Sequence, residues 1–255
     1  MRTKDLIDLA DNPDFISGIY NYCDRWCERC PFASRCLVYA MEAEDEDDPA
    51  SRDIHNAAFW RNLQSILEQS REMIASWAEE QGIDLSFAAP QPVRAGDDVE
   101  KHELSVAAKG YAFSIDEWFK EDLIELPGAD YRTPADPETD TAEMVSDATD
   151  VIRWYQYLIA TKTVRGLMAR DDQEDEDLEN VPNSSDGSIK VALIAIDRSI
   201  SAWRIMQMVR TDRADSVNPQ LVALERLRLN LEKSFPHARD FIRPGFDENP
   251  DRPVN

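Results

Sequence analysis

Cys23, Cys27, Cys30 and Cys36 lie within one 14-residue window, and the 255-residue chain holds no other cysteine. Thiols at the spacing C-x3-C-x2-C-x5-C can form disulfides, stand as separate buried side chains, or ligate one inorganic centre. Disulfides belong to oxidising compartments. The N-terminus, Met1-Arg2-Thr3-Lys4-Asp5, has no apolar run of the secretory kind behind it, so the expected compartment is the cytoplasm. The expectation is therefore a metal site with Cys23, Cys27, Cys30 and Cys36 as ligands. Four thiolates suit zinc or an iron–sulfur cluster, and the sequence does not distinguish the two.

Spacing adds a geometric condition. Cys23, Cys27 and Cys30 stand at i, i+4 and i+7. On an unbroken helix they share a face, but the outer two lie about 10 Å apart along the axis. Sulfurs around one zinc must approach within about 4 Å, given Zn–S bonds of roughly 2.3 Å. Either the helix breaks between Cys23 and Cys27, or the bound object is larger than one ion. Pro31 already disturbs any helix continuing past Cys30. Arg25, Arg29 and Arg35 interleave with the cysteines and can offset thiolate charge. Trp26, Phe32, Leu37 and Tyr39 can form a dry shell around the site.

Two partial resemblances attach to these residues. Cys23-Asp24-Arg25-Trp26-Cys27-Glu28-Arg29-Cys30 is similar to the C-x3-C-x2-C pattern of radical S-adenosylmethionine enzymes. That family implies an α/β barrel, whereas this chain shows no strand–helix alternation, no Gly-rich cofactor strand, and has a fourth cysteine close by. The run Cys27-x2-Cys30-Pro31-x4-Cys36 also resembles the cysteine runs of some auxiliary iron–sulfur segments, over ten residues. It implies a cluster and no particular activity.

A second set of polar residues falls on helical faces. Arg198 is in line with Val191, Ile194, Ala202, Ile205 and Val209, and Lys162 is in register with Tyr155 and Ile159. Glu143, Asp147 and Asp150 share a face. A buried cation needs a partner, so the expected buried ion pair joins Arg198 or Lys162 to Asp147 or Asp150. A di-iron carboxylate bundle would need Glu-x-x-His on two helices. The residues three before the histidines are Arg52, Val99 and Ser234, so the pattern is missing. His55 reads as a core or boundary residue. There is no Gly-rich phosphate loop and no G-x-S-x-G elbow.

The elements that must position these residues are helical. Asn12-Pro13-Asp14 is a helix start, leading through Ile16, Ile19 and Tyr20 toward the cysteines. Further helices are expected from Ser51 to Gly82, Val99 to Asp122, Asp140 to about Ala169, from Ser185, and from Asn218-Pro219 to Phe235. Their stripes are, for the first three and the last, Phe59/Leu63/Ile66/Met73/Trp77, Leu104/Ala107/Tyr111/Ile115/Trp118, Val145/Ala148/Ile152/Tyr155/Ile159, and Leu221/Leu224/Leu227/Leu231. Ile189–Ile196 is apolar nearly all round and expects burial between neighbours. The fold class is thus all-α. It is a bundle of four to five long helices with an N-terminal cysteine-rich helical segment, divided as 1–41, 51–235 and an extended tail 236–255.

Charge narrows the partners. The formal net charge is −23. Six acids fall in Glu42–Asp48 and seven in Asp171–Glu179, leaving 38 acids against 28 bases elsewhere. These runs read as solvated, self-repelling linkers. Such a field disfavours nucleic acid and anionic membranes as partners, and no apolar run reaches membrane-spanning length. The partner class left open is protein. The expected function is a cysteine-ligated metal centre with a structural or regulatory role. The alternatives are an iron–sulfur redox protein and, more remotely, an enzyme with a polar site between bundle helices. The sequence does not settle whether the protein is an enzyme.

Overall fold

The computed structural model describes residues 12–44, 56–85, 97–125, 140–173 and 184–247. Within them the regular structure is helical, with no strand. Among the described residues seven α-helices run in order: α1 Leu37–Glu44, α2 Ala57–Gln81, α3 Asp97–Lys101, α4 Glu103–Glu125, α5 Asp140–Gln173, α6 Ser184–Val209 and α7 Ala214–Ser234. His55, Asp45–Asp48 of the first acidic run and Glu174–Glu179 of the second lie outside the described residues.

The chain forms two compact units. The first comprises Tyr22–Asp24 and Gly96–Arg243, and the second Met1–Asn21, Arg25–Ala95 and Pro244–Asn255. By this division α2 falls in the unit that holds Cys27, Cys30 and Cys36, and Cys23 falls in the unit of the longer helices.

The first unit is a four-helix arrangement in which α4 packs on α5 and α7, and α6 packs on α5 and α7. The stripes read from sequence form its core. Leu104, Tyr111, Ile115 and Trp118 of α4 are buried, as are Ala148, Ile152, Tyr155 and Ile159 of α5. Ala107 is exposed and Ala108 takes the buried place instead. The all-round apolar run of α6 is enclosed as expected, with Ile189, Ala192, Leu193 and Ile196 fully buried. Two glycines allow this closeness. A Cβ at Gly166 of α5 would strike the Ile189 side chain, and one at Gly187 of α6 would strike the Tyr22 ring. The indoles inside are paired: Trp203 Nε1 donates to Tyr111 Oη at 3.0 Å, and Trp118 Nε1 donates to Ser216 Oγ at 3.0 Å. The two rings meet edge to face, with centroids 5.0 Å apart.

Three local expectations are corrected. Asn12 caps a turn, not a helix: its Oδ1 accepts the Asp14 amide at 2.9 Å, and Gly18 at φ +72° turns the chain before a helix can propagate. Helix α7 begins at Ala214, so Pro219 lies inside it, and Asn218 accepts from Gln207 Nε2 at 2.6 Å rather than serving as the cap. The tail beyond Pro236 is not extended throughout. Ala238–Asp240 forms a 3₁₀ turn with Ala238 fully buried. Arg239 holds it down through Asp197 at 2.7 Å and Glu232 at 2.8 Å, and Lys190 Nζ donates to the Phe241 carbonyl at 2.5 Å.

Candidate functional site

In place of a helix, the cysteines occupy a chain of single turns. Cys27 opens a 3₁₀ turn, Cys27–Arg29, whose amide-donating cap is Cys30 in extended conformation. Ala33–Arg35 is a second such turn, capped by Cys36, again extended at φ −110° and ψ 118°. Between Cys23 and Cys27 stands Arg25 at φ 60°, the one non-glycine residue with positive φ among those described. That conformation costs an L-residue about 1–2 kcal/mol. The condition set by the i, i+4, i+7 spacing is thus met by a broken chain: no continuous helix holds the sulfurs 10 Å apart.

None of the four cysteines is in a disulfide, and all four are of intermediate exposure. Among the described residues, no group of three or more His, Cys, Asp or Glu side chains is arranged to hold a metal ion. The donor chemistry and the local chain fit a thiolate site, and the gathering of the sulfurs does not yet fit. The expected helpers also have other engagements. Arg25 lies 3.8 Å from Glu42, Arg29 stacks over the Trp26 ring at 4.0 Å, and Arg35 Nε donates to the Asp14 carbonyl at 3.3 Å.

In the second unit the segment is braced by its own surroundings. The Ile16 amide donates to the Arg35 carbonyl at 3.0 Å, tying the first turn to the last. Phe32 meets Phe246 edge to face at 5.3 Å. Gly245, at φ +74°, lies so close to Ile16 and Ile19 that a Cβ there would stand 3.0 and 3.1 Å from their Cδ1 atoms. The C-terminal residues therefore support the turns that carry Cys27, Cys30 and Cys36.

Cys23 is placed differently, between two residues fastened to the bundle unit. Tyr22 packs on Phe241 with centroids 4.7 Å apart and fills the space left by Gly187. Asp24 is held three ways. Its Oδ2 accepts from Arg198 Nη1 at 2.5 Å and from Tyr155 Oη at 2.8 Å, and its carbonyl accepts from Trp154 Nε1 at 2.9 Å. Arg198 also donates to Tyr155 Oη.

Of the two expected cations, Arg198 is paired with Asp24, 174 positions away. Asp147, Asp150 and Glu143 are exposed on α5, and Lys162 is buried. Arg198 itself is half exposed, with a side-chain exposure of 53% against 23% for Asp24. It snorkels at the edge of the apolar stripe instead of lying within it. Burial, and then donation to Asp24, pushes the Tyr155 hydroxyl up to about 12, so it stays protonated and can keep donating. Burial opposes the charge on Arg198, yet its bonds to Tyr155 and Asp24 outweigh that and raise its pKa. Asp24, Tyr155 and Arg198 are each bonded to the other two.

No family model, curated protein or solved structure matches this chain.

Sequence reasoning missed Asp24 and Tyr155 as partners of Arg198. Tyr155 was legible as core; its hydroxyl was the overlooked signal, because a buried phenol needs a partner. No helix of the described residues is long and apolar enough to cross a membrane.

Proposed function

We propose that the protein is a cysteine-ligated metal protein, with ligands drawn from Cys23, Cys27, Cys30 and Cys36 and a structural or regulatory role for the centre. The observation that carries the reading is the break of this segment into single 3₁₀ turns, with Cys30 and Cys36 each at an extended cap. Turns of this kind let neighbouring sulfurs turn toward one point, as a continuous helix cannot. Four cysteines in one window, none of them in a disulfide, supply the donors. Gathering them needs a local rearrangement, and metal binding commonly provides the free energy for local ordering of this kind.

Arg198 is a positioning residue in this reading. It and Tyr155 fix Asp24, and so the backbone on one side of Cys23, while Tyr22 fixes the other. That use accounts for the polar cluster without a reaction, which supports the metal-centre reading over an enzyme site between helices.

The test is metal content and visible absorption of protein purified without oxygen, compared with Cys27→Ser. About one zinc per chain without a visible band, lost in the variant, supports a structural centre. Iron with labile sulfide and a broad band that bleaches on reduction supports the iron–sulfur redox alternative. Metal content unchanged in Cys27→Ser, or no bound metal in the wild type, defeats the proposal.

A further inference from the structure

Helix α2 turns a large apolar face outward. Trp60, Ile66, Leu67, Met73, Ile74 and Trp77 are between 36% and 61% exposed. The helix is well made in spite of this. Its C-terminus closes with paired bonds, Ile83 N to the Ala78 carbonyl at 2.8 Å and Gly82 N to the Glu79 carbonyl at 3.1 Å, with Gly82 at φ +67°.

The seam has a register. Trp60, Leu63, Leu67, Ser70, Ile74 and Trp77 follow one another at alternating steps of three and four, the a/d spacing of a coiled coil. The series also reads nearly the same in both directions. Laid antiparallel on a copy of itself, Trp60 meets Trp77, Leu63 meets Ile74, and Leu67 meets Ser70, each pair occurring twice about a two-fold axis. An isologous interface needs such self-complementarity. The one polar member does not spoil a dry seam, because Ser70 Oγ already donates to the Ile66 carbonyl of its own helix at 2.8 Å.

Flanking residues decide the direction. Ile66 and Met73 border the seam on one side, and Gln64 and Arg71 on the other. In a parallel pair each apolar flank would face the polar flank of the other copy. In an antiparallel pair Ile66 faces Met73 and Gln64 faces Arg71. Area is sufficient as well. With a full aromatic covering about 150–250 Å², six side chains near half exposure offer on the order of 600 Å² per copy. A pair of such faces reaches the roughly 1,200 Å² at which specific interfaces begin.

We infer that α2 is a self-association surface: two copies of this chain pair through antiparallel α2 helices along the Trp60–Trp77 seam. Each copy carries a net charge of −23, so raising the salt concentration screens their repulsion and strengthens the pairing.

The experiment is sedimentation equilibrium of the full chain with reductant present, at low and at high salt, about 50 and 500 mM, which brackets the range over which screening changes most. The wild type is expected at twice the chain mass, with a dissociation constant that falls as salt rises. Leu63→Glu and Ile74→Lys are each expected to give the single-chain mass with helix content retained by circular dichroism. The double variant is expected to regain the doubled mass, because the carboxylate introduced at position 63 of one copy then faces the ammonium introduced at position 74 of the other. Glu72→Lys, on the opposite face of α2, is expected to keep it. A wild type of single-chain mass at both salts overturns the inference. So does a doubled mass that Leu63→Glu leaves intact, and failure of the double variant to recover overturns the antiparallel register.

Discussion

The two units solve the burial problem in opposite ways. In the bundle unit the largest side chains are enclosed: Trp203, Tyr155, Leu193 and Ile196 are essentially without solvent contact, and Trp203 and Tyr155 find hydrogen-bond partners. In the other unit, Trp60 and Trp77 stand more than half exposed on a single amphipathic helix, and three of the four thiols sit on short turns. The large side chains of the bundle unit are used up in its own core, whereas those of α2 keep apolar surface exposed. On the reading proposed above, binding falls mainly to the less buried unit and stability to the more buried one.

The severest challenge to this contrast is to remove one indole from each unit. Trp203→Ala deletes a buried ring and leaves Tyr111 without the indole donor. It is expected to destabilise the bundle by about 3–5 kcal/mol, seen as a lower denaturation midpoint. Trp77→Ala, measured at a concentration where the chain is a single copy, is expected to stay within about 0.5 kcal/mol of wild type. Equal losses from both would erase the distinction.

Alkaline titration comes next. Tyr155 has its hydroxyl pushed up to about 12 against an ordinary 10.0, so the folded state holds that proton more tightly than the unfolded chain. Its contribution is complete below the ordinary value of 10.0 and is lost as pH climbs from there toward about 12. Burial raises Tyr111 in the same sense. Denaturation midpoints should fall across this alkaline window, and Tyr155→Phe should flatten part of that fall. A midpoint independent of pH there would mean that the buried phenol carries no such linkage.

A smaller effect is expected at the anchor. Asp24→Ala strips Tyr155 and Arg198 of their shared carboxylate acceptor and leaves the backbone carbonyl that Trp154 donates to. Because Arg198 is half exposed, water takes up most of its lost bonding, so the global cost is about 1–2 kcal/mol. The local consequence is larger: amide exchange at Cys23 and its neighbours should accelerate while α6 stays protected. Unchanged exchange there would show that Asp24 fixes nothing. Smallest is Gly82→Ala, which forces a Cβ into the left-handed region at φ +67° and should cost α2 about 1 kcal/mol, read as loss of helix content on heating.

Much of the bundle could be read from the sequence because its signals are local. The spacing of Leu104, Tyr111, Ile115 and Trp118, and the all-round apolar run Ile189–Ile196, each dictate which surface a helix must bury. Gly82 announced its helix end for a similar reason, since a left-handed residue is cheap only for glycine. What escaped was non-local or competitive. Asn12-Pro13-Asp14 carries the side chains of a helix start, but the same Asn oxygen can close a turn, and Gly18 lets the turn win. Asn218-Pro219 repeats the signal inside a helix that tertiary packing had already begun at Ala214. The pairing of Arg198 with Asp24 joins residues 174 apart, and no periodicity reports it. The stripe on α2 was visible as amphipathic, but periodicity cannot say whether a face turns inward or outward.

The functional reading stands or falls with the sulfurs, and metal counted against thiols decides it. Protein prepared under argon is assayed for zinc, iron and sulfide, and its thiols are titrated before and after a strong chelator. Bound metal is expected in fixed ratio to the chain, with thiols slow to react until the metal is withdrawn and all four cysteines reacting afterwards. A metal-free protein whose four thiols react at once, and at the same rate with or without added zinc or iron and sulfide, would contradict a thiolate centre.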